Sequence, residues 1–536
     1  MIEKLRIRGY RKFEDLIFKP AEGMNILVGD NESGKSTIVE AINLAMTGRI
    51  NGRPASEEIN PYWFNQSVVQ SFFVEHAASK NPKLPTISIE IFLVDEDELQ
   101  KLAGAHNSDT PTRSCPGVEL AVEPNPEYAE EIAEYLKAET SILPVEYYKV
   151  TWRTFGDREL TAKPRELTTA LIDARTIRST SGVDFHLRQM LSDHLDPKEK
   201  AQISVAYRGV KEKMTNEHLA DVNTKMAKLE GALDGKALGL AMDQSSRSSW
   251  DASVSPFVAD LPFAMAGLGQ QVAVKIGLAM SKSSDLSRVV SIEEPENHLS
   301  FTSLTTLIAR IDELRSANQQ LFVTTHSSFV LNRLGLNALK LVSNSGISTF
   351  DDVSDDTVAY FKKLPGYDTL RLVLARKVVL VEGPSDEILF ERFYKDAHDG
   401  RRPVDDGIDV FSMRGLSLKR LLELAKVLDR ECIALRDNDG ENPAVIRAEI
   451  SDVLDGTKRE LFIGAVELGH TLEPQLISAN EEQALRSALG VTPRADLLTW
   501  MTNNKTEGAI RLAEYKGDVK APAYMAEAIK FFDDEE

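Results

Sequence analysis

The sequence predicts an α/β protein made of two parallel-sheet units, the first interrupted by a helical insertion. Three observations carry that prediction. The apolar run Met24-Asn25-Ile26-Leu27-Val28 is followed by a glycine-rich turn and by residues 36–45, whose apolar side chains recur at helical spacing, so the chain reads strand–loop–helix. The alternation resumes after residue 262, with a helix near 269–281, a strand at 289–292, a helix at 302–316 and a strand at 321–324. It begins again at 378–381, then a helix at 385–397, a strand near 408–411, a helix at 416–428, and strands at 432–435 and near 461–466.

The remaining segments follow in order. Residues 1–28 alternate apolar and polar side chains, with Leu5 and Ile7 in one short strand ahead of the 24–28 strand. Residues 86–94 and 145–155 read as strands, whereas 101–126, carrying several Pro, Gly, Ser and Asn residues, reads as loop or insertion. Residues 184–240 are polar and helix-favouring, with Leu187, Leu191, Leu195 and later Met226, Leu229 and Leu233 at spacings of three and four. That stretch is expected to be a helical insertion or hairpin, packed on its own domain or forming a subunit contact. Residues 244–256 read as a polar loop, and the acids at 533–536 as a solvated tail. The chain is thus expected to divide into 1–183 with 241–350, the insertion 184–240, a connection at 351–376 and a second unit at 377–536.

Composition narrows the function. The chain has 536 residues, 42% hydrophobic and 27% charged, enough apolar material for more than one core. It contains no apolar run of roughly 18 residues, the length that spans a membrane. Its first residues lack the apolar core of a signal peptide. Two cysteines, Cys115 and Cys432, build neither a disulfide scaffold nor a four-cysteine zinc site, and are expected to be reduced thiols of a cytoplasmic protein. A formal charge of −20 excludes a basic nucleic-acid-coating protein. Any phosphate-bearing partner must therefore be met by a local basic patch or a divalent cation. Residues 376–536 hold 22 Lys and Arg against 32 Asp and Glu, half the net charge in under a third of the length. The question is what those carboxylates hold.

Gly29-Asp30-Asn31-Glu32-Ser33-Gly34-Lys35-Ser36 matches the phosphate-binding pattern G-x-x-x-x-G-K-[ST] without a mismatch, and Thr37 follows. The glycines let backbone N–H groups close on a β-phosphate, Lys35 supplies a point charge to the β and γ oxygens, and the Ser36 hydroxyl can ligate magnesium. Asn31, Gly34, Lys35, Ser36 and Thr37 are the expected ATP contacts. An acid at the end of an apolar strand is the second part of such a site. The sequence Val289-Val290-Ser291-Ile292-Glu293-Glu294 supplies it, with Glu293 expected to hold magnesium through water and Glu294 to orient and deprotonate the attacking water. His326, after the 321–324 strand, can contact the γ-phosphate. Residues 266–271, Ala-Gly-Leu-Gly-Gln-Gln, look like a degenerate ABC signature, which in a dimer would reach the γ-phosphate bound by the other protomer.

In the second unit Glu382 and Asp386 follow one strand, and Asp437 and Asp439 follow another. Acids at the carboxyl ends of strands in one parallel sheet can converge. Two or three convergent carboxylates form a hard oxygen site suited to Mg2+ or Mn2+. Glu473 is a further candidate ligand, and Lys505 can neutralise a pentavalent phosphoryl transition state. Together they form the kit of two-metal phosphodiester cleavage.

These residues bring the sequence to a family. GDNESGKST at 29–37, MAGLGQQ at 265–271, VVSIEEPENHLS at 289–300, TTHSS at 324–328, VLVEGPSDE at 379–387, LRDND at 435–439, TLEP at 471–474 and NKTEGA at 504–509 resemble the OLD (overcoming lysogenization defect) nucleases. The resemblance spans nearly the whole chain. It implies an N-terminal ABC/SMC-like ATPase with a helical dimerisation insertion, fused to a C-terminal Rossmann-like Toprim domain. It further implies a homodimer or higher homo-oligomer that binds ATP and divalent metal and cuts or nicks DNA. Several relatives act in defence against phage, some beside a helicase-like partner as in the Gabija system. Carried onto this chain, Lys35, Ser36, Glu293, Glu294 and His326 take the ATPase roles, and Glu382, Asp386, Asp437, Asp439, Glu473 and Lys505 the nuclease roles. The chain departs from the pattern in three places. Its signature lacks the Ser-Gly-Gly run, no glutamine loop stands out beyond the candidates Gln66 and Gln70, and 184–240 is short for a coiled-coil arm.

The leading expectation is an ATP-regulated, divalent-metal-dependent DNA endonuclease. The alternative is an ATP-switched sensor or scaffold that gates a partner without cutting DNA. Topoisomerase or primase chemistry ranks lowest, because two cysteines cannot build a template-binding zinc module.

Overall fold

The computed structural model describes residues 1–78, 80, 82–109, 113–138, 141–173, 195–227, 238–245, 250, 257–258, 260–280, 288–297, 299–314, 318–343, 346–349, 353–364 and 369–533. Leu187, Leu191, Leu229 and Leu233 of the expected insertion lie outside them. The chain divides into two compact units, Met1–His326 with Lys340–Ser348, and Ser327–Leu339 with Thr349–Glu536.

The first unit contains two large sheets. One is antiparallel, in the order Phe13–Phe18, Ile2–Tyr10, Ile87–Leu93, Cys115–Pro124, with Tyr148–Thr154 also paired to Cys115–Pro124. Two sequence expectations are corrected here. The short strand around Leu5 and Ile7 runs from Ile2 to Tyr10 and turns back into a hairpin partner, Phe13–Phe18. The stretch read as loop or insertion at 101–126 contains the ten-residue strand Cys115–Pro124. Its first eight residues are all buried, so no apolar–polar alternation betrays it, and Pro116 and Gly117 mimic a turn. Gly117 instead makes room for an aromatic neighbour, since a Cβ there would lie 2.1 Å from the Phe155 ring.

The other sheet has the order Thr169–Asp173, Val289–Glu293, Gln320–Thr324, Met24–Val28, Leu339–Ser343, Gly346–Thr349, and its first four strands pair in parallel. Met24–Val28, Val289–Glu293 and Gln320–Thr324 are buried throughout, as continuous apolar runs in a covered parallel sheet should be. Helix Lys35–Thr47 follows the glycine-rich turn and stops at Gly48, a left-handed cap whose N–H donates to the Leu44 carbonyl. Part of the expected insertion is helical. Pro197–Lys213 starts at Asp196, which forms a capping box with Glu199, and a π-helical turn Met214–His218 leads towards Ala220–Ala227.

The second unit is built on a parallel sheet in the order Ile408–Ser412, Lys377–Val381, Glu431–Arg436, Arg459–Ile463. The chain leaves Lys377–Val381 on one side and returns on the other. The topological switch therefore falls between the carboxyl ends of Lys377–Val381 and Glu431–Arg436, where open α/β sheets bind ligands. Helices Asp355–Lys363 and Thr369–Leu374, within the stretch read as a connection, are tied to this unit. Glu423 accepts from the Ser354 N–H and the Thr357 hydroxyl, and Arg371 pairs with Asp409. Helix Lys505–Glu514 packs on Pro384–Ala397, and the Arg392 guanidinium donates to the carbonyls of Leu512, Ala513 and Tyr515. Among the described residues no helix is long and apolar enough to cross a membrane.

Candidate functional site

In the first unit three motifs sit on three neighbouring strands. Glu293 is in register with Thr324, and Thr324 with Leu27, so the Glu-Glu turn, the His326 turn and the phosphate loop leave the same edge of the sheet. The loop is shaped by its glycines. Gly34 has φ +103°, and a Cβ there would lie 2.4 Å from the Phe13 ring. A Cβ on Gly29 would meet the Val342 carbonyl at 2.3 Å. Buried Lys35 donates to the carbonyls of Gly29 (2.8 Å) and Asp30 (2.9 Å). Asn31 is exposed, while Ser36 and Thr37 are half-buried in the first turn of Lys35–Thr47. Ser33, to which the motif assigns no role, buries a hydroxyl with no hydrogen-bond partner among the described residues.

Glu293 is buried at the end of its strand. Glu294 takes a left-handed backbone (φ +46°), held by its N–H donating to the Thr324 carbonyl (2.9 Å) and hydroxyl (3.2 Å). Its carboxylate accepts from Asn297 at 2.6 Å and lies 3.9 Å from His326 Nε2. Sequence reasoning passed over Glu296. One of its carboxylate oxygens accepts from the Thr325 hydroxyl (2.8 Å) and the His326 N–H (2.7 Å), tying the Glu-Glu turn to the His turn. Burial pushes the Glu296 carboxyl up from its ordinary range, against the pull of those donors. Its only sequence signal was an acid two residues past the Glu-Glu pair. Of the signature-like residues, Leu268 begins helix Leu268–Ala279, and the buried Gln271 side chain donates to the Ala266 carbonyl at 2.8 Å. Gln66 and Gln70 lie in helix Gln66–Ala77, where the Gln66 amide donates to the Phe64 carbonyl.

In the second unit Glu382 and Asp437 leave the two strands that flank the switch point. The Asp437 N–H donates to Glu382 Oε1 at 3.2 Å. Asp386, in the first turn of Pro384–Ala397, accepts from the Gly383 N–H at 3.0 Å. Glu473 is buried on Leu472–Ala479, with one oxygen accepting from the Thr471 hydroxyl (2.7 Å) and the other 3.4 Å from Lys505 Nζ. Asp439 is exposed, with φ +50° and its N–H donating to the His470 carbonyl. Between the two aspartates, buried Asn438 donates to the carbonyls of Gly464 (3.0 Å) and Gly469 (2.8 Å), which fixes the loop.

The acids share one field. Burial, then the charges of Glu382, Asp386 and Glu473, push Asp437 up to about 8, with Lys505 pulling the other way. Burial and then Glu473 push Asp386 up to about 6. Burial raises Glu382 too, aided by Asp386 and Asp439 and opposed by the Asp437 N–H and Arg436. Tyr524, buried beside them, has its hydroxyl raised by burial and by the same four acids. Among the described residues no group of three or more His, Cys, Asp or Glu side chains is gathered tightly enough to hold a metal ion as it stands. A set of partly buried carboxylate oxygens that repel one another is nevertheless the donor set that suits a hard divalent cation.

Residues 4–237 match an AAA domain family, and residues 254–332 match a second one described as AAA domain, putative AbiEii toxin, Type IV TA system. Residues 373–439 match the Overcoming lysogenization defect protein-like TOPRIM domain. The chain is 45% identical over 42 residues to DNA replication and repair protein RecF of Prosthecochloris aestuarii, a match covering 8% of this chain and 11% of that protein. Among solved structures it is similar to the C-terminal region of the Burkholderia pseudomallei OLD protein, at 20% identity over 30% of this chain and 98% of that one, with a TM-score of 0.25. It is also similar to the SMC head domain from Thermotoga maritima, at 13% identity over 65% of this chain and 98% of that one, with a TM-score of 0.28.

Proposed function

This chain joins an AAA ATPase domain to an OLD-like Toprim domain, and we propose from that premise that it is an ATP-regulated, divalent-metal-dependent DNA endonuclease. The observation that carries the reading is the meeting of Glu382 and Asp437 at the switch point, in a field that holds Asp437 near 8. Buried acids that repel each other destabilise a fold unless a cation joins them.

Glu382, Asp386, Asp437, Asp439 and Glu473 would hold Mg2+ or Mn2+. When bound, such ions polarise the scissile phosphate and lower the pKa of water. The remaining work falls to this chain's own residues. Lys505 places an ammonium beside Glu473 and neutralises charge growing on the phosphoryl group. In the first unit Asn31, Gly34, Lys35, Ser36 and Thr37 cradle ATP, and Ser36 and Glu293 would hold its magnesium. Glu294 orients water, and His326 faces the γ-phosphate. In this reading residues 184–240 serve dimerisation, and the protein works in the cytoplasm. The OLD resemblance extends the proposal to defence against phage, beside a helicase-like or other partner.

The test is plasmid cleavage by purified protein in magnesium or manganese. Wild type should nick or linearise the plasmid and Asp437→Ala should not, while both keep the same circular dichroism. Equal cutting by the variant sinks the assignment. The open arrangement of the acids favours a second reading, an ATP-switched scaffold that gates a partner. That reading gains if biological activity survives Asp437→Ala.

A further inference from the structure

Beside the acids lies a second feature that the nuclease roles leave unused. A pocket of about 340 Å3 opens against the carboxyl ends of the sheet, lined by Glu382, Met413, Gly415, Leu416, Leu418 and Arg436. Its size is at the lower end of the roughly 300–1,000 Å3 usual for ligand sites, right for one small unit and too small for a base pair. The lining is divided. Met413, Leu416 and Leu418 form an apolar wall, and Glu382 is shared with the acid cluster.

Arg436 is the informative member. It is half-buried and near enough to Glu382 to oppose the rise of that carboxyl's pKa, yet its guanidinium makes no hydrogen bond or close ion pair among the described residues. Many other arginines of the unit are paired, among them Arg371 with Asp409, Arg392 with Asp396, Arg447 with Glu460 and Arg486 with Glu482. A guanidinium carries five donors in a planar fork that matches phosphate, and leaving it half-buried without an acceptor costs stability. Ser412, which ends the strand leading into Met413, likewise buries a hydroxyl with no partner among the described residues.

We propose that this pocket seats one nucleotide of the nucleic-acid strand being cut. Arg436 binds the phosphate next to the scissile one, and Met413, Leu416 and Leu418 take the sugar and base. The proposal rests on the nuclease reading and deepens it by assigning a strand-binding subsite outside the acids and Lys505. Contact through phosphate and apolar surface reads no base edges, so its contribution is the same for every sequence.

The test is equilibrium binding of a fluorescein-labelled single-stranded 12-mer to the full chain in calcium, by anisotropy, for two unrelated sequences. Arg436→Ala is expected to weaken binding about tenfold for both. Arg436→Lys should restore only part of it, because an ammonium lacks the fork. Leu418→Trp, which fills the pocket and leaves the guanidinium in place, should weaken binding comparably and carries the test if Arg436→Ala does not fold. Calorimetric Mn2+ affinity should be unchanged in all three. Wild-type binding in Arg436→Ala, or a parallel loss of Mn2+ affinity that makes Arg436 merely a support for Glu382, overturns the proposal. A wild type that binds the oligonucleotide through Arg436 but never cuts plasmid sinks the nuclease reading and leaves the pocket standing.

Discussion

The phosphate loop of the first unit and the acid cluster of the second both sit at carboxyl ends of parallel strands, but their charges are treated in opposite ways. Lys35 is buried with its ammonium on two loop carbonyls, and the loop takes its shape from glycine at a left-handed position. Two backbone carbonyls help to compensate its charge. Asp437 and Asp386 are raised to about 8 and about 6 because burial and like charges surround them. One site is preorganised for an anion at little cost; the other gathers acids whose ionised forms repel one another until a cation binds. A small loop can thus be rigid without ligand, whereas a carboxylate cluster gains its stability by loading.

The sharpest way to break the comparison is to remove one charge from each site. Asp437→Ala is expected to lower plasmid cleavage by roughly 100-fold or more, the scale of losing part of a metal's hold on the phosphoryl group, while ATP binding persists. Lys35→Ala should weaken ATP binding by about 100-fold, read by nucleotide titration, because it removes charge-assisted contacts to phosphate. The stability effects should differ in sign. In cation-free buffer near pH 7 Asp437→Asn raises the unfolding temperature, since it removes a buried carboxyl that the folded state keeps only by taking up a proton, and Lys35→Ala lowers it slightly. If Asp437→Asn destabilises the cation-free protein, the acids of the cluster do not repel one another.

Backbone shape is the next lever. Gly34→Ala places a methyl against the Phe13 ring at a left-handed φ, and is expected to cost about 1–3 kcal/mol and to abolish ATP binding. Denaturant unfolding checks the first and nucleotide titration the second.

Proton linkage then sharpens the contrast. The folded pKa of Asp437 lies above its unfolded value, so the folded state holds more protons between about pH 4 and pH 8, and cation-free stability falls as pH rises through that window. Loading a divalent cation at pH 7 should release about one proton per site, because the ligands must ionise. Calorimetry in buffers of different ionisation enthalpy measures it, and no release would remove the raised Asp437 from the account.

Much of this was legible in the residues. The phosphate loop has four fixed residue types whose roles are local, and the wholly buried strands 24–28, 289–293 and 320–324 announce themselves as apolar runs. The long-range parts were not legible. Cys115–Pro124 hides because both faces are covered, so a period-2 pattern has nothing to show. Glu296 hides because its task is to hold the backbone of a turn thirty residues away, and hydrogen bonding to backbone leaves no spacing rule. Arg436 sits in the quoted LRDND string, but only the absence of a partner among the described residues sets it apart from the paired arginines.

Glu296 gives the smallest and most local test. Its carboxylate joins Thr325 and the His326 N–H to the turn that carries Glu294, although neither motif residue depends on it for a side-chain contact. Glu296→Gln keeps an acceptor oxygen, so both hydrogen bonds can persist and folding should change by less than about 1 kcal/mol. Glu296→Ala removes the two hydrogen bonds from the Thr325 hydroxyl and the His326 N–H and should cost about 1–3 kcal/mol. If the latch holds His326 against the nucleotide, Glu296→Ala lowers the ATPase kcat several-fold with little change in KM, and Glu296→Gln restores most of it. A purely structural role would give the same loss of stability with an unaltered kcat. In either case the acids of the second unit should bind Mn2+ as before, which keeps the effect confined to the phosphate-binding half of the comparison.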